Sequence, residues 1–454
     1  MQSAEENNLP RKLGLFSLTN IVIANMIGAG IFTTSGLLMG DLGNPFLMLL
    51  LWVVGGLIAL CGALSYGELG AAMPQAGGEY IFLSKLFNPV YGFLSGWVSF
   101  IVGFSAPIAA SALGFSEYFF RAFPNSAHII DIPLGTLKKI VAILVIMLFS
   151  LVHLRGMSFG AIIQNYLTVL KVVLIVGLIV AGFFIGNGDL SHFTQGEALS
   201  SDFGSWKTAG LSLMWVMFAY SGWNAATYVG SEIKDPKRNL AKSLLLGTGI
   251  VMVLYVLLNI LFIYAIPPAN MEGVIAIGGL AVNNLFDART DSIISLLISF
   301  ALFSSLSAFI IIGPRVYYAM AKDGYFFKFL AKVHPVFQVP SRAILIQALM
   351  AIIMVLSGTF DQILTYMGFS LGIFPILAVI GIFRLRMSGR SVLKLPGYPW
   401  VQLFYIVISL SILILAFFER PVESSVAIFT VLIGTPLFFV FKRIYRQSEN
   451  RKGN

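Results

Sequence analysis

Hydrophobic side chains along this chain come in unbroken runs, not in alternation. Twelve such runs, parted by short polar stretches, lie at roughly 14–39, 45–66, 91–118, 137–154, 157–185, 208–230, 243–266, 292–319, 341–358, 361–383, 397–418 and 422–441. A helix needs about 20 apolar residues to cross the hydrocarbon core. Only helices and closed barrels satisfy their backbone there, and barrel strands alternate with a period of two. The pattern predicts an all-α integral membrane protein with twelve transmembrane helices.

Composition agrees and narrows the class. Of 454 residues, 58% are apolar and 11% charged, where a soluble domain carries about 25% charge. A disordered chain, a disulfide scaffold and an ordinary cytosolic enzyme are excluded. The net charge of +9 would suit nucleic acid only as a basic stripe or a binding motif. Here the charges sit between the apolar runs, and no nucleic-acid partner is expected. With the N-terminus inside, 22 of the 29 Lys and Arg fall on the inner side, six on the outer, and Lys171 within a span. That excess predicts both termini in the cytoplasm.

Several chemistries drop out. Cys61 stands alone in an apolar run, so no intramolecular disulfide or Cys/His metal spacing exists and no cofactor is expected. No phosphate-binding loop occurs, and the short loops leave no room for a nucleotide-binding domain. Any uphill movement of a solute must then draw on an ion gradient or on exchange. Glu5 and Glu6 precede the first run, unlike a cleavable signal peptide. His128, His153, His192 and His334 fall in loops or at span ends and form no cluster.

Two runs are interrupted. The first reads IVIANMIGAGIFTTSG, with Gly28 and Gly30 inside it, and the sixth reads LMWVMFAYSGWNAATYVG, with Ser221 and Gly222 inside it. One glycine in a span ordinarily means close helix packing. Two breaks in spans one and six, each heading five spans that start on opposite sides, match an inverted-topology repeat, a rule founded on transporters of this kind. Unwinding a helix in the membrane frees backbone groups that lipid cannot satisfy. The half-helix starting near Ile31 offers N–H groups to a carboxylate. Carbonyls ending the half-helices before Gly28 and Gly222 suit an ammonium. A ligand with both groups close together is an α-amino acid.

The segments IGAGIF (27–32), YGELGAAMPQAGGEYIF (66–82), QNYLTVLK (164–171), FAYSGWNAATYVGSEIKDPKRNL (218–240) and GPRVYYAMAKDGYF (313–326), in this order, carry a resemblance. The chain resembles the amino acid–polyamine–organocation superfamily, in its L-type amino acid transporter branch. The resemblance implies a leucine-transporter-type 5+5 inverted repeat with helices 1 and 6 broken around the substrate. It implies that amides of Ala29, Gly30 and Ile31 hold the α-carboxylate, and carbonyls of Met26, Phe218 and Ser221 the α-amino group. Phe218 would be the aromatic gate and Asn224 would line the side-chain pocket. Many relatives carry G-S-G where this chain has Gly28-Ala29-Gly30, which leaves the carboxylate site more dependent on amides.

Lys171 lies about 14 residues from either end of its span, or ~21 Å at 1.5 Å per residue. Its ammonium cannot snorkel that far, so it needs a partner within the bundle or must lose its proton there. It is either a structural cation or a stand-in for a coupling cation beside span one. The resemblance implies the latter, since the matching lysine occupies the sodium position of sodium-coupled relatives. Ser304, Ser305 and Ser307 could imitate hydroxyl ligands of such a site. Tyr255 and Asn259 read as inter-helix hydrogen bonders, with Tyr255 also within reach of the span-one break. Glu68, Glu79 and Glu232 are expected near the cytoplasmic side, Glu117 near the outer end of span three, and none beside the breaks. A buried cationic side chain would lack a carboxylate, which favours neutral substrates.

The reading is a sodium-independent secondary transporter of neutral L-amino acids, an exchanger working by alternating access, and not an enzyme. A proton-coupled symporter or a carrier of cationic amino acids or polyamines is the alternative within the class; a channel or membrane-embedded enzyme is the alternative outside it. The expected organisation is a tail at 1–12, repeats at 13–185 and 204–386, accessory helices at 397–441 and a tail at 442–454. The basic segments 234–242 and 442–452 would contact anionic lipid. Relatives that bind an accessory glycoprotein use a cysteine between spans three and four. This chain has none there, so no disulfide-linked subunit is expected and a bacterial inner membrane is the natural location.

Overall fold

The computed structural model describes residues 11–124, 132–196, 202–357 and 360–453. Glu5, Glu6 and His128 lie outside them. All regular elements among the described residues are helical, and extended pairing is confined to isolated bridges joining Leu13 to Ile233 and Ala76 to Val229. In chain order the α-helices are α1 (Leu15–Met26), α2 (Ala29–Leu42), α3 (Pro45–Ala72), α4 (Glu79–Leu86), α5 (Pro89–Val98), α6 (Ser105–Ala122), α7 (Leu134–Leu154), α8 (Met157–Ile185) and α9 (Phe203–Ala219). They continue with α10 (Pro236–Ala265), α11 (Pro268–Met271), α12 (Ile277–Leu285), α13 (Ala288–Lys322), α14 (Ser341–Ser357), α15 (Phe360–Met387), α16 (Trp400–Glu419) and α17 (Pro421–Gly453).

Ten helical stretches among the described residues are long and apolar enough to cross a membrane, counting α1 with α2 and α5 with α6 as one each. The other two expected spans fall on shorter helices. α9 and α14 have 17 residues each, about 26 Å at the usual rise, against a hydrocarbon core of ~30 Å. The run at 208–230 is not helical throughout: α9 stops at Ala219, and the chain goes on through turns and short 3-10 segments at Ala225–Tyr228 and Gly230–Glu232. Gly222 turns the chain at φ +100°, a conformation that only glycine adopts without strain. α5 and α6 form one long element with a π-helical turn at Ser99–Gly103 between them, a device frequent at functional sites.

Charges at the helix ends tie the connections down. Glu68, fully buried at the end of α3, accepts from Arg386 at 2.8 and 2.6 Å and from Ser391 Oγ at 2.7 Å. Arg121 makes a two-pronged pair with Asp291 at 3.0 and 2.7 Å, and Lys138 meets Glu117 at 2.6 Å. Arg315, counted above among the inner-loop cations, instead lies buried in α13, where it pairs with Glu232 at 2.6 Å.

Candidate functional site

Four of the helix starts, those of α3, α5, α9 and α13, carry a capping side chain. Asn44 Oδ1 accepts from the Leu47 amide at 2.9 Å, Asp202 Oδ1 from Ser205 at 2.7 Å and Asp287 Oδ1 from Thr290 at 2.6 Å. The start of α2 has no such cap, and it lies inside the bundle. Its N-cap is Gly28, which has no side chain to offer, so the first-turn amides, which lack intrahelical acceptors, stay uncapped and buried. Ala29, Gly30 and Ile31 form that first turn and are all buried. A buried, uncapped helix start is a ready-made anion site.

The end of α1, three residues earlier, leaves its last carbonyls without intrahelical donors. Side chains from three other helices fill them. Lys171 Nζ of α8 donates to the Ile27 carbonyl and, at 3.4 Å, to that of Ala24. Ser305 of α13 donates to the same pair, at 2.8 Å to Ile27 and 3.2 Å to Ala24. Tyr255 of α10 donates to Met26 at 2.6 Å and lies 3.0 Å from the Ala219 carbonyl at the end of α9. Tyr255 therefore joins the two breaks, of which the sequence placed only the first within its reach. The three serines of α13 separate: Ser305 alone faces the break, while Ser304 meets Thr168 and Gln164 at 3.1 Å and Ser307 meets His153 at 2.8 Å. Asn259 bonds Ser35 of α2 at 2.6 Å, the inter-helix role expected of it.

The two breaks pack directly on each other. A Cβ on Gly30 would lie 2.7 Å from the Ala219 Cα, and one on Gly222 would lie 2.7 Å from the Asn25 Cβ. A side chain at Gly30 would push α2 from α9, and one at Gly222 would push the chain after α9 from α1.

A small cavity lies at this junction, walled by Asn25, Met26, Gly28, Ala29, Gly30, Pro107, Ser111, Phe218, Ala219, Ser221 and Phe309. A larger one continues from it past Phe218, Ser221 and Phe309, and is lined by Gly222, Asn224, Tyr228, Glu79, Ser99 and Tyr405 among others. Phe218 stands at the boundary, packed on Val102, Ala106 and Met367 in an apolar cluster apart from the main core. Of the residues picked from sequence, Met26, Gly28, Ala29, Gly30, Phe218 and Ser221 line the small cavity, and Gly222 and Asn224 the large one. Lys171 and Tyr255 sit behind the break, and Ile31 follows in the first turn of α2. Two of the three carbonyls assigned to an amino group already accept bonds, Met26 from Tyr255 and Phe218 from the Ser221 amide at 2.9 Å. Each keeps a second lone pair.

One expectation fails. Glu79 does not stay apart from the breaks. It opens α4, which packs on α5 and α15, and its carboxylate lines the large cavity. Tyr66 Oη and Asn224 Nδ2 each donate to its Oε1 at 2.8 Å, and Ser95 Oγ lies 3.4 Å from its Oε2. Burial raises its carboxyl above the usual range, while the bonds from Tyr66, Asn224, Tyr228 and Ser95 pull it back down. A hydrophobicity scan cannot see a loop helix that turns inward. Sequence reasoning also missed Asn25, Pro107, Ser111 and Phe309; the helical spacing of 107 and 111 was the available signal for one face of that span.

Ten apolar stretches built around two interrupted helices define a multi-pass membrane protein of the transporter kind. Residues 13–439 match the amino acid permease family, and the chain belongs to it. Among similar proteins, the serine/threonine exchanger SteT of Bacillus subtilis is 28% identical over 448 residues, 97% of this chain and 98% of its own. The b(0,+)-type amino acid transporter 1 of Mus musculus is 25% identical over 444 residues, 96% of this chain and 88% of its own. The cystine/glutamate transporter of Homo sapiens is 26% identical over 443 residues, 96% of this chain and 86% of its own.

Proposed function

We propose that this permease moves neutral L-amino acids by sodium-independent exchange, holding its substrate in the small cavity between the two breaks. The uncapped amides of Ala29, Gly30 and Ile31 take the α-carboxylate, and carbonyls of Met26, Phe218 and Ser221 the α-amino group. Phe218 closes the site toward the large cavity, and Asn224 meets the substrate side chain from beyond it. The proposed frame is twelve spans with both termini cytoplasmic, in two inverted repeats at 13–185 and 204–386, with 397–441 as accessory helices.

The carrying observation is the Lys171 Nζ on the Ile27 and Ala24 carbonyls. Carbonyls at the C-terminal end of a half-helix are where such transporters bind a coupling cation. A fixed ammonium there supplies that charge from within the chain, so none need be taken from solution. Glu79 lines the large cavity and is not among the residues walling the small one, and its oxygens hold Tyr66, Asn224 and Ser95. Names of the similar proteins favour exchange and amino acid substrates, SteT as a serine/threonine exchanger above all.

The test is uptake of labelled L-serine, L-threonine, L-alanine and L-leucine into proteoliposomes, in sodium or choline buffer. The reading expects equal rates in the two buffers. Sodium-dependent uptake would remove the role given to Lys171.

A further inference from the structure

Asn25 is in the last turn of α1, 1% exposed, on the wall of the small cavity. Its Nδ2 donates to the Ile21 carbonyl one turn back at 2.7 Å. A carbonyl only accepts, so this bond fixes the orientation of the amide, with Nδ2 toward Ile21 and Oδ1 turned away. That Oδ1 is buried and accepts no hydrogen bond. A buried acceptor left without a donor costs about 1–3 kcal/mol, and a structure keeps one where a ligand completes it.

The surroundings say which ligand. Gly222 packs against the Asn25 backbone and Cβ, leaving no room there for a protein donor. The Met26 carbonyl next in sequence already holds the Tyr255 hydroxyl at 2.6 Å. The same cavity is walled by Ala29 and Gly30 of the uncapped α2 start, which offers only donors. One wall thus donates and the Asn25 oxygen accepts, a few residues apart on one chain.

We infer that the Asn25 carboxamide oxygen accepts a hydrogen bond from the substrate's α-ammonium and is a specificity-determining residue for that group. This rests on the proposed site between the breaks and deepens it. A primary ammonium has three N–H donors, and Asn25 supplies a side-chain acceptor beside the Met26 and Phe218 carbonyls. Its bond to Ile21 is the structural role; the free oxygen is the binding role.

The experiment uses the full-length protein in proteoliposomes, with whichever of L-serine, L-threonine, L-alanine and L-leucine is taken up fastest by the unaltered chain. Uptake is compared for Asn25→Leu, which keeps shape and loses the acceptor, and Asn25→Asp, which keeps an acceptor. Loss of one charge-assisted bond predicts a KM roughly tenfold or more higher in Asn25→Leu, with Asn25→Asp within about threefold of the unaltered chain. Unfolding temperatures of the purified variants report the Ile21 bond separately. An unchanged KM in Asn25→Leu overturns the inference, whatever happens to its unfolding temperature. If Asn25→Leu does not fold, a tenfold rise in KM for Asn25→Asp overturns it instead. If the unaltered chain takes up none of the four, the transporter reading itself falls, and this inference with it.

Discussion

Lys171 and Ser305, on different helices, donate to the same two carbonyls, those of Ile27 and Ala24 at the broken end of α1. A charge and a hydroxyl together satisfy backbone groups that lipid could not. The break is thereby stable, and any motion of α1 must be felt by both side chains.

Replacing Lys171 by Ala is expected to cut amino acid uptake at least tenfold while the protein still folds in detergent, since Ser305 keeps the Ile27 bond. Ser305→Ala should cost about 1 kcal/mol of stability, the usual worth of a hydrogen bond, and reduce uptake less. Because the two share acceptors, the double variant should depart from additivity by ~0.5 kcal/mol or more. Unfolding temperatures and uptake rates of the four forms check this, and strict additivity would mean the two act independently.

Tyr255→Phe removes one hydroxyl that joins the Met26 and Ala219 carbonyls. Leaving those buried acceptors short of a donor should destabilise the protein by about 1–3 kcal/mol. Uptake should fall more steeply than stability does, because the hydroxyl couples the two half-helices. Measured side by side, a stability loss with normal uptake would show that the coupling is structural only.

Gly30→Ala places a methyl 2.7 Å from the Ala219 Cα, where backbone must shift. Uptake is expected to be lost, in contrast to Gly135→Ala, whose Cβ meets nothing within 4 Å. Equal uptake by both variants would show that the breaks need not touch.

Burial raises the Glu79 carboxyl from its ordinary 4.5. A raised folded-state pKa means the folded protein holds that proton more tightly than the unfolded chain. The contribution to stability is full below the ordinary carboxylate range and is lost as pH rises through the raised value. Unfolding temperature should therefore fall with pH from about 4.3 upward by more than in Glu79→Gln, which lacks the titration. Parallel profiles for the two would remove that burial cost from the account.

The spans were legible because uninterrupted hydrophobicity is what a membrane demands of a helix, and α8 ends at the residues the pattern gave, Met157 and Ile185. Both breaks were legible because glycine in a span is a local signal. What stayed hidden depends on distant approach. Glu79 reads as a loop carboxylate until α4 folds inward. Asn25 reads as one more polar residue in a span until the Tyr255 hydroxyl is found on its neighbour. Ser305 cannot be told from Ser304 and Ser307 without knowing which face of α13 meets α1. The span at 208–230 was overextended because apolar composition continues through Tyr228 although the helix has ended.

The central claim is that an internal ammonium, Lys171, takes the place of a coupling ion in an amino acid exchanger. The most direct measurement is uptake of the labelled amino acid into proteoliposomes preloaded with the same unlabelled amino acid or left empty, in choline buffer without a pH gradient. The account predicts rapid uptake into preloaded vesicles, little into empty ones, and no gain on adding sodium. Uptake that needs sodium or an inward proton gradient, and is indifferent to preloading, would contradict it.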